Sequence, residues 1–262
     1  MGIDAADYDG SGRDSLVIGN FANEMIALYH NEGRGLFIDD AAMAGIGQPS
    51  LLTLAFGCFF FDFDLDGLLD IFVANGHVED DINRVQKDIT YAQKPHLFRG
   101  KGDGTFERVA RSASSSGTAD PLEHEVVARG AAYLDYDSDG DLDIVMTTNN
   151  GPAYLLRNDG GNQNPWIRVK LQGTRSNRDG LGARIRVIAG GRTLGCLVKA
   201  GASYCSGSEI VATFGLGTAA TADRVEVVWP GGATQVVEKP PVRAVTVIKE
   251  EAARTAGARP VP

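Results

Sequence analysis

The sequence is poor in the residues on which many function classes depend. Among 262 residues there are only 4 His and 3 Cys. Three cysteines cannot build a disulfide scaffold, and His30, His77, His96 and His124 fall at no zinc-ligand spacing. No run of about 18 apolar residues occurs, which excludes a membrane-spanning helix. No signal peptide is expected at its start either. Met1 is followed by Gly2-Ile3-Asp4 and at once by a repeat motif, so the chain is expected to start downstream of further repeats. There is no Gly-x-Ser-x-Gly elbow and no P-loop. The segment Ser203-Tyr-Cys-Ser-Gly-Ser208 has no neighbouring His to act as base, which weighs against nucleophilic catalysis. Basic residues are outnumbered, 25 Lys and Arg against 34 Asp and Glu, and a net charge of -9 argues against nucleic acid as a partner.

What is present is glycine, acid in clusters, and enough apolar residues for a core. Hydrophobic residues make up 43% of the chain and glycine 33 of its residues, a composition that suits a packed protein with many turns. Twelve of the Asp residues lie in three short segments, 7–14, 62–70 and 135–143. The acidity is therefore local, and local acid clusters bind cations. Cys58, beside Phe59 and Phe60, is expected as a small buried hydrophobe. Whether Cys196 and Cys205 pair across neighbouring strands stays open.

Three segments align without gaps: Asp7-Tyr-Asp-Gly-Ser-Gly-Arg-Asp-Ser15, Asp62-Phe-Asp-Leu-Asp-Gly-Leu-Leu-Asp70 and Asp135-Tyr-Asp-Ser-Asp-Gly-Asp-Leu-Asp143. Each is followed by an apolar run and then by a second apolar piece, Ala27-Leu-Tyr-His-Asn31, His96-Leu-Phe-Arg-Gly100 and Tyr154-Leu-Leu-Arg-Asn158. The first two continue as Gly-x-Gly-x-Phe, at 33–37 and 102–106. Short apolar runs punctuated by Gly and Asn are strand–turn–strand units. The loop starts stand 55 and 73 residues apart, the longer interval holding an insertion at 77–95. A repeat of this length fits a four-stranded propeller blade, and 1–160 is expected to form about three of them. Three blades do not close a propeller, so missing upstream blades or self-association is expected.

From Trp166 the pattern becomes a plain alternation. Trp166–Leu171, Ala183–Ile188, Arg224–Trp229 and Ala244–Ile248 each bury every second residue by period-two patterning. Residues 165–250 are expected to form a small antiparallel sandwich-like domain, and 251–262 a frayed tail. The whole chain is thus expected to be all-β.

The acidic loops carry the chemistry. Calcium takes 6–8 oxygens, and alternate Asp side chains in a tight loop can converge on one ion while a Gly permits the sharp turn. In the second loop the expected ligands are Asp62, Asp64, Asp66 and Asp70 with the Leu68 carbonyl. In the third they are Asp135, Asp137, Asp139 and Asp143 with the Asp141 carbonyl. Four carboxylates held this close without a cation would repel one another strongly. An EF-hand would need a bidentate Glu at its twelfth position, where Val73 and Met146 stand instead. The first loop offers Asp7, Asp9 and Ser11, with Ser in place of two of the acids, and is expected to bind more weakly.

These loops, with the Leu-Phe-Arg and Gly-Asp-Gly-Thr-Phe pieces, resemble FG-GAP/VCBS repeats of the integrin-α propeller type. The segment Gly173-Thr-Arg-Ser-Asn-Arg-Asp-Gly-Leu-Gly-Ala-Arg184 resembles the signature of the ASPIC/UnbV domain, and Gly201-Ala-Ser-Tyr204, Phe214-Gly-Leu-Gly217 and Val228-Trp-Pro-Gly-Gly232 continue the match. The combination is similar to the cartilage acidic protein family and its bacterial relatives. The resemblance implies extracellular or cell-envelope placement, calcium in the propeller loops, and a binding or adhesive role toward a protein or glycan.

Three functional readings stay open on the sequence. One is a calcium-rigidified binding module. A second is an enzyme working from the insertion, with His77, Asp80, Asp81, Lys87 and Tyr91. The third is a fragment of a larger propeller with no function of its own. In the C-terminal part, Asn177 and Asp179 either bind a ligand or cap a tight turn before Gly180.

Overall fold

A computed structural model describes residues 1–109 and 120–251. The expected tail lies outside the described residues beyond Glu251. Among the described residues eighteen strands form five small sheets in a propeller-like arrangement. Among the described residues helix is limited to one turn, α1 at Gly47–Ser50, and three short 3-10 turns.

The first sheet runs in order through β1 (Ile3–Ala6), β2 (Ser15–Ile18), β3 (Ala27–Gly33) and β4 (Leu36–Asp39). The second runs likewise through β5 (Ala55–Phe61), β6 (Asp70–Asn75), β7 (His96–Gly100) and β8 (Phe106–Arg108). The third has three strands, β9 (Ala128–Leu134), β10 (Asp143–Thr148) and β11 (Tyr154–Leu156). Its missing fourth strand matches the absence of a Gly-x-Gly-x-Phe piece after Asn158. Each acidic segment is the hairpin between the first two strands of its sheet, so all three loops occupy the same place in their units.

Period two explains why the second sheet is the best buried. Along β5, Cys58 and Phe60 point into one core with Ile71, Val73, Val17 and Leu28. Phe59 and Phe61 point the other way, into a second core with Phe72, Ala131, Ile144 and Met146. A strand packed on both faces has no polar side, which accounts for the run Ala55-Phe-Gly-Cys-Phe-Phe-Phe61. The first strands, β1, β5 and β9, lie side by side across the three sheets.

The remaining two sheets share a core of their own. One holds β15 (Ala212–Gly215), β12 (Trp166–Gln172) and β18 (Ala244–Lys249) in that order. The other holds β14 (Arg192–Leu197), β13 (Arg184–Ala189), β16 (Arg224–Val228) and β17 (Thr234–Glu238). Alternate residues of both, among them Ile167, Val169, Val187, Phe214, Val225, Trp229 and Ile248, fill the space between them.

Two expectations are corrected here. About three blades undercounts the sheets, because a search for acidic loops finds only those sheets whose first hairpin carries one. The C-terminal part is also not purely antiparallel: β18 pairs with β12 in parallel, Ile167 opposite Ala244 through Gln172 opposite Lys249. Cys58 is buried as expected, and Cys196 and Cys205 are free thiols rather than a bonded pair.

Candidate cation loops

In the second loop the backbone is closed on Asp62. Its two carboxylate oxygens accept from the amides of Asp66 (3.1 Å) and Gly67 (2.9 Å), and Asp66 in turn accepts from Leu68 N (2.9 Å). The turn places Leu65 at φ +53° and Gly67 at φ +81°, the left-handed region that glycine enters without a Cβ penalty. Carboxylate oxygens of Asp62, Asp64 and Asp70 lie within 4.8 Å of one another. Burial, then the neighbouring Asp66 charge, raises the Asp62 and Asp64 carboxyls, and burial with Asp62 nearby raises Asp70. One oxygen of Asp64 is buried without any partner. From β7, Arg99 Nη2 reaches Asp64 Oδ2 (2.7 Å) and Asp66 Oδ2 (2.9 Å).

The third loop repeats the design with small changes. Asp135 Oδ1 accepts from Asp139 N (3.1 Å), and Asp139 Oδ1 from Asp141 N (3.2 Å). Asp135, Asp137 and Asp139 present oxygens within 4.8 Å of one another. Asp135 also forms a buried ion pair with Arg168 of β12, whose other nitrogen meets Glu209. Asp141 is fully buried; one oxygen accepts from Asn162 N (3.1 Å) and the other has no partner. Burial and the nearby Asp139 push its carboxyl up to about 7.

The last acid of each loop has a different task. Both oxygens of Asp70 accept backbone amides, from Phe63 (2.9 Å) and Gly100 (2.8 Å), and Asp143 does the same for Tyr136 (2.8 Å) and Asn158 (2.8 Å). These residues staple the loop to the third strand of their sheet, at Gly100, or to the residues just after it, at Asn158. In the first loop Ser15 supplies half of that staple, accepting from Asn31 N at 3.0 Å. There Asp7 accepts from Gly12 N (2.8 Å) and keeps one buried oxygen without a partner. Asp9 meets His30 Nε2 at 2.8 Å. Burial would raise the Asp9 carboxyl, but the hydrogen bonds from His30 and Ser11 hold it at about 2. Ser11 lies in the same turn, its amide donating to Asp9 Oδ1 at 3.0 Å.

The structure therefore brings Asp62, Asp64 and Asp70 together in one loop and Asp135, Asp137 and Asp139 in the other. Asp66 is turned toward Arg99, and Asp141 and Asp143 toward backbone amides. An all-oxygen donor set fits a hard cation, and in the second loop Asp64 adds a buried oxygen without a partner, so these clusters are able to hold a metal ion. The basic partners were not read from the sequence. His30, Arg99 and Arg157 occupy the same position in the three repeats, one residue before Asn31, Gly100 and Asn158; that alignment was the available signal. Arg157 turns instead to Asp159, at 2.7 Å.

The other candidates do not converge. In the insertion, His77 is buried and its Nδ1 accepts from Glu79 N (3.0 Å), Asp81 pairs with Arg84, and the Tyr91 hydroxyl accepts from Asn149. Asp80 and Lys87 point into solvent. Asn177 Oδ1 accepts from Asp179 N (2.9 Å), and Gly180 follows at φ +71°, which is the turn-capping arrangement. That turn is held by a residue sequence reading passed over: Glu250 accepts the amides of Thr174, Arg175 and Ser176 and the Ser176 hydroxyl. Those amides, Ser176 first, hold its carboxyl down to about 2. A cavity of about 440 Å³ lies between the first two loops and strands β14 and β15, with Tyr8, Asp14, Phe60, Cys196 and Glu209 among its walls.

Residues 173–255 match the family model described as ASPIC and UnbV. The chain is 28% identical over 249 residues to mouse (Mus musculus) cartilage acidic protein 1, covering 78% of this chain and 38% of that protein. It is 32% identical over 162 residues to the Xenopus tropicalis cartilage acidic protein 1, covering 57% of this chain and 21% of that protein. Over 59 residues, 22% of this chain and 8% of that protein, it is 44% identical to the human (Homo sapiens) protein of that name. The chain thus spans well under half the length of these relatives. No helix among the described residues is long and apolar enough to cross a membrane.

Proposed function

We propose, from the premise that the chain carries an ASPIC/UnbV domain, that it is a calcium-stabilised binding or adhesion module of an extracellular or envelope protein. On this reading the first three sheets are FG-GAP/VCBS-like blades over 1–160, and the last two are the ASPIC/UnbV domain over 165–250. Calcium is held by Asp62, Asp64, Asp66, Asp70 and the Leu68 carbonyl, and by Asp135, Asp137, Asp139, Asp143 and the Asp141 carbonyl. Asp7, Asp9 and Ser11 offer a weaker third site. When bound, the ion supplies the positive charge that the crowded carboxylates need; it takes part in no reaction. The chain's own residues do the shaping. Asp62 and Asp135 close the loops on their amides, and Asp70 and Asp143 tie them to the next strands. The rim so stiffened would present its loops to a protein or glycan.

The observation that carries this reading is the convergence of three carboxylates in each of the two loops, Asp62, Asp64 and Asp70 and then Asp135, Asp137 and Asp139, with a buried partnerless oxygen on Asp64. An ion binding only the folded chain at a hundredfold excess over its Kd stabilises it by about 2.7 kcal/mol. Asp64→Ala and Asp137→Ala are expected to lose most of that increment in calcium, while unfolding at the wild-type midpoint in chelator. Equal losses in calcium and chelator would defeat the assignment.

A further inference from the structure

Each of the three acidic loops meets an arginine of the C-terminal sheets. Arg184 Nη2 reaches Asp14 at the end of the first loop (3.1 Å). Arg192 Nη1 and Nη2 reach the carbonyl oxygens of Asp66 (3.1 Å) and Gly67 (2.5 Å) in the second. Arg168 pairs with Asp135 in the third.

At the second loop the approach is backbone against backbone. The amide of Gly217 donates to Leu65 O at 3.2 Å. A Cβ on Gly217 would lie 2.6 Å from Asp66 O, one on Gly67 2.8 Å from Gly215 O, and one on Gly215 inside the Leu65 backbone and the Asp62 carboxylate. The glycines of Phe214-Gly-Leu-Gly217 are thus required by the loop they touch, not only by their own turn. At the third loop, the Trp166 ring fills the space that a side chain on Gly140 would occupy.

We infer that the Phe214–Gly217 turn and Arg192 form a docking surface for the acidic loop 62–70, and that docking and cation binding are thermodynamically coupled. The cation side of this coupling rests on the calcium reading above. Its direction follows from the peptide planes. A trans peptide points its C=O and N–H to opposite sides. Arg192 holds the outer, carbonyl side of peptides 66–67 and 67–68. Their inner sides donate Gly67 N to Asp62 and Leu68 N to Asp66. Fixing the outer side orients the two carboxylates before an ion arrives, so a docked domain raises cation affinity. By linkage, a bound cation must tighten docking by the same factor.

The test uses the full chain and calcium itself. Calcium affinity is measured by calorimetry, and amide exchange by mass spectrometry, for wild type, Arg192→Gln and Gly217→Val. Arg186→Gln on the same sheet, an exposed residue with no hydrogen bond or ion pair to a described loop residue, is the control. In wild type, calcium slows exchange both across 62–70 and across 213–217, where the Gly217 amide is itself the interface bond. Arg192→Gln weakens calcium binding at least about 5-fold, the lower end of usual coupling, and shrinks the slowing at 213–217. Arg192 is exposed, so this variant keeps its fold if Gly217→Val does not. Calcium that protects 62–70 but not 213–217, with wild-type affinity in Arg192→Gln, overturns the coupling and leaves the calcium reading standing. A wild-type chain that binds no calcium overturns both.

Discussion

Asp and Glu side chains in this chain do three separable jobs that their letters do not distinguish. Asp62 closes a turn on the loop's own amides, Asp70 staples that turn to β7, and Asp64 is left with an oxygen that nothing among the described residues satisfies. Sequence spacing placed all of them in one loop, but equal spacing cannot show which oxygens are already taken. Ser15 makes the same point from the other side. It replaces an expected ligand yet keeps the bond to the third strand, because one hydroxyl oxygen suffices for one amide. Glu250 was out of reach of sequence reading, since the amides it accepts lie 74 to 76 residues away. Its folded carboxyl stands at about 2 against an ordinary 4.5. A depressed carboxyl contributes stability above the unfolded pKa and loses it as pH falls through the folded one. Urea midpoints of the wild type should therefore fall between about pH 4.5 and 2. Glu250→Gln should lower the midpoint at pH 7 and flatten this acid limb; an unchanged limb would show that Glu250 is not the residue titrating.

Among the elements, the strands were the most legible part. The alternation of Trp166–Leu171 returned as β12, and the unbroken apolar run at 55–61 returned as a strand buried on both faces. What local pattern could not supply was partnership. β18 looks like any other half-buried strand, and only the folded chain shows it running parallel to β12. The loops' glycines also have reasons that lie outside the loop. Gly140 sits at φ +104° with the Trp166 ring against it. Gly140→Ala combines a left-handed penalty with overpacking, and is expected to cost about 2–4 kcal/mol in chemical denaturation. Gly104, also at positive φ (+83°) but with open space around it, is the matched control, and Gly104→Ala should cost about 1–2 kcal/mol. Equal losses at the two positions would mean that the Trp166 contact contributes nothing.

For the whole molecule, acidity and architecture are one problem. The five sheets bring three acid-rich hairpins to equivalent positions, and the arginines that answer them come from both the repeats and the C-terminal sheets. The resemblance to ASPIC/UnbV proteins anticipated the family match over 173–255. It did not anticipate that the second part would bear on the loops of the first, because residues such as Arg192 and Gly67 are far apart in sequence and no local motif joins them. Local charge balance by Arg99 and Arg168 is incomplete, since Asp64 and Asp141 keep partnerless buried oxygens. On the function proposed above, a resident cation supplies the missing charge.

The most direct test of that claim is thermal unfolding of the full chain in excess calcium and in chelator, with bound ions counted by native mass spectrometry. Two ions per chain, or three if the first loop fills, and a midpoint raised by roughly 10 °C or more are expected for two sites of ordinary affinity. No retained ion and superimposable melting curves would contradict it, and the acidic hairpins would then be turns held by amides and arginines alone.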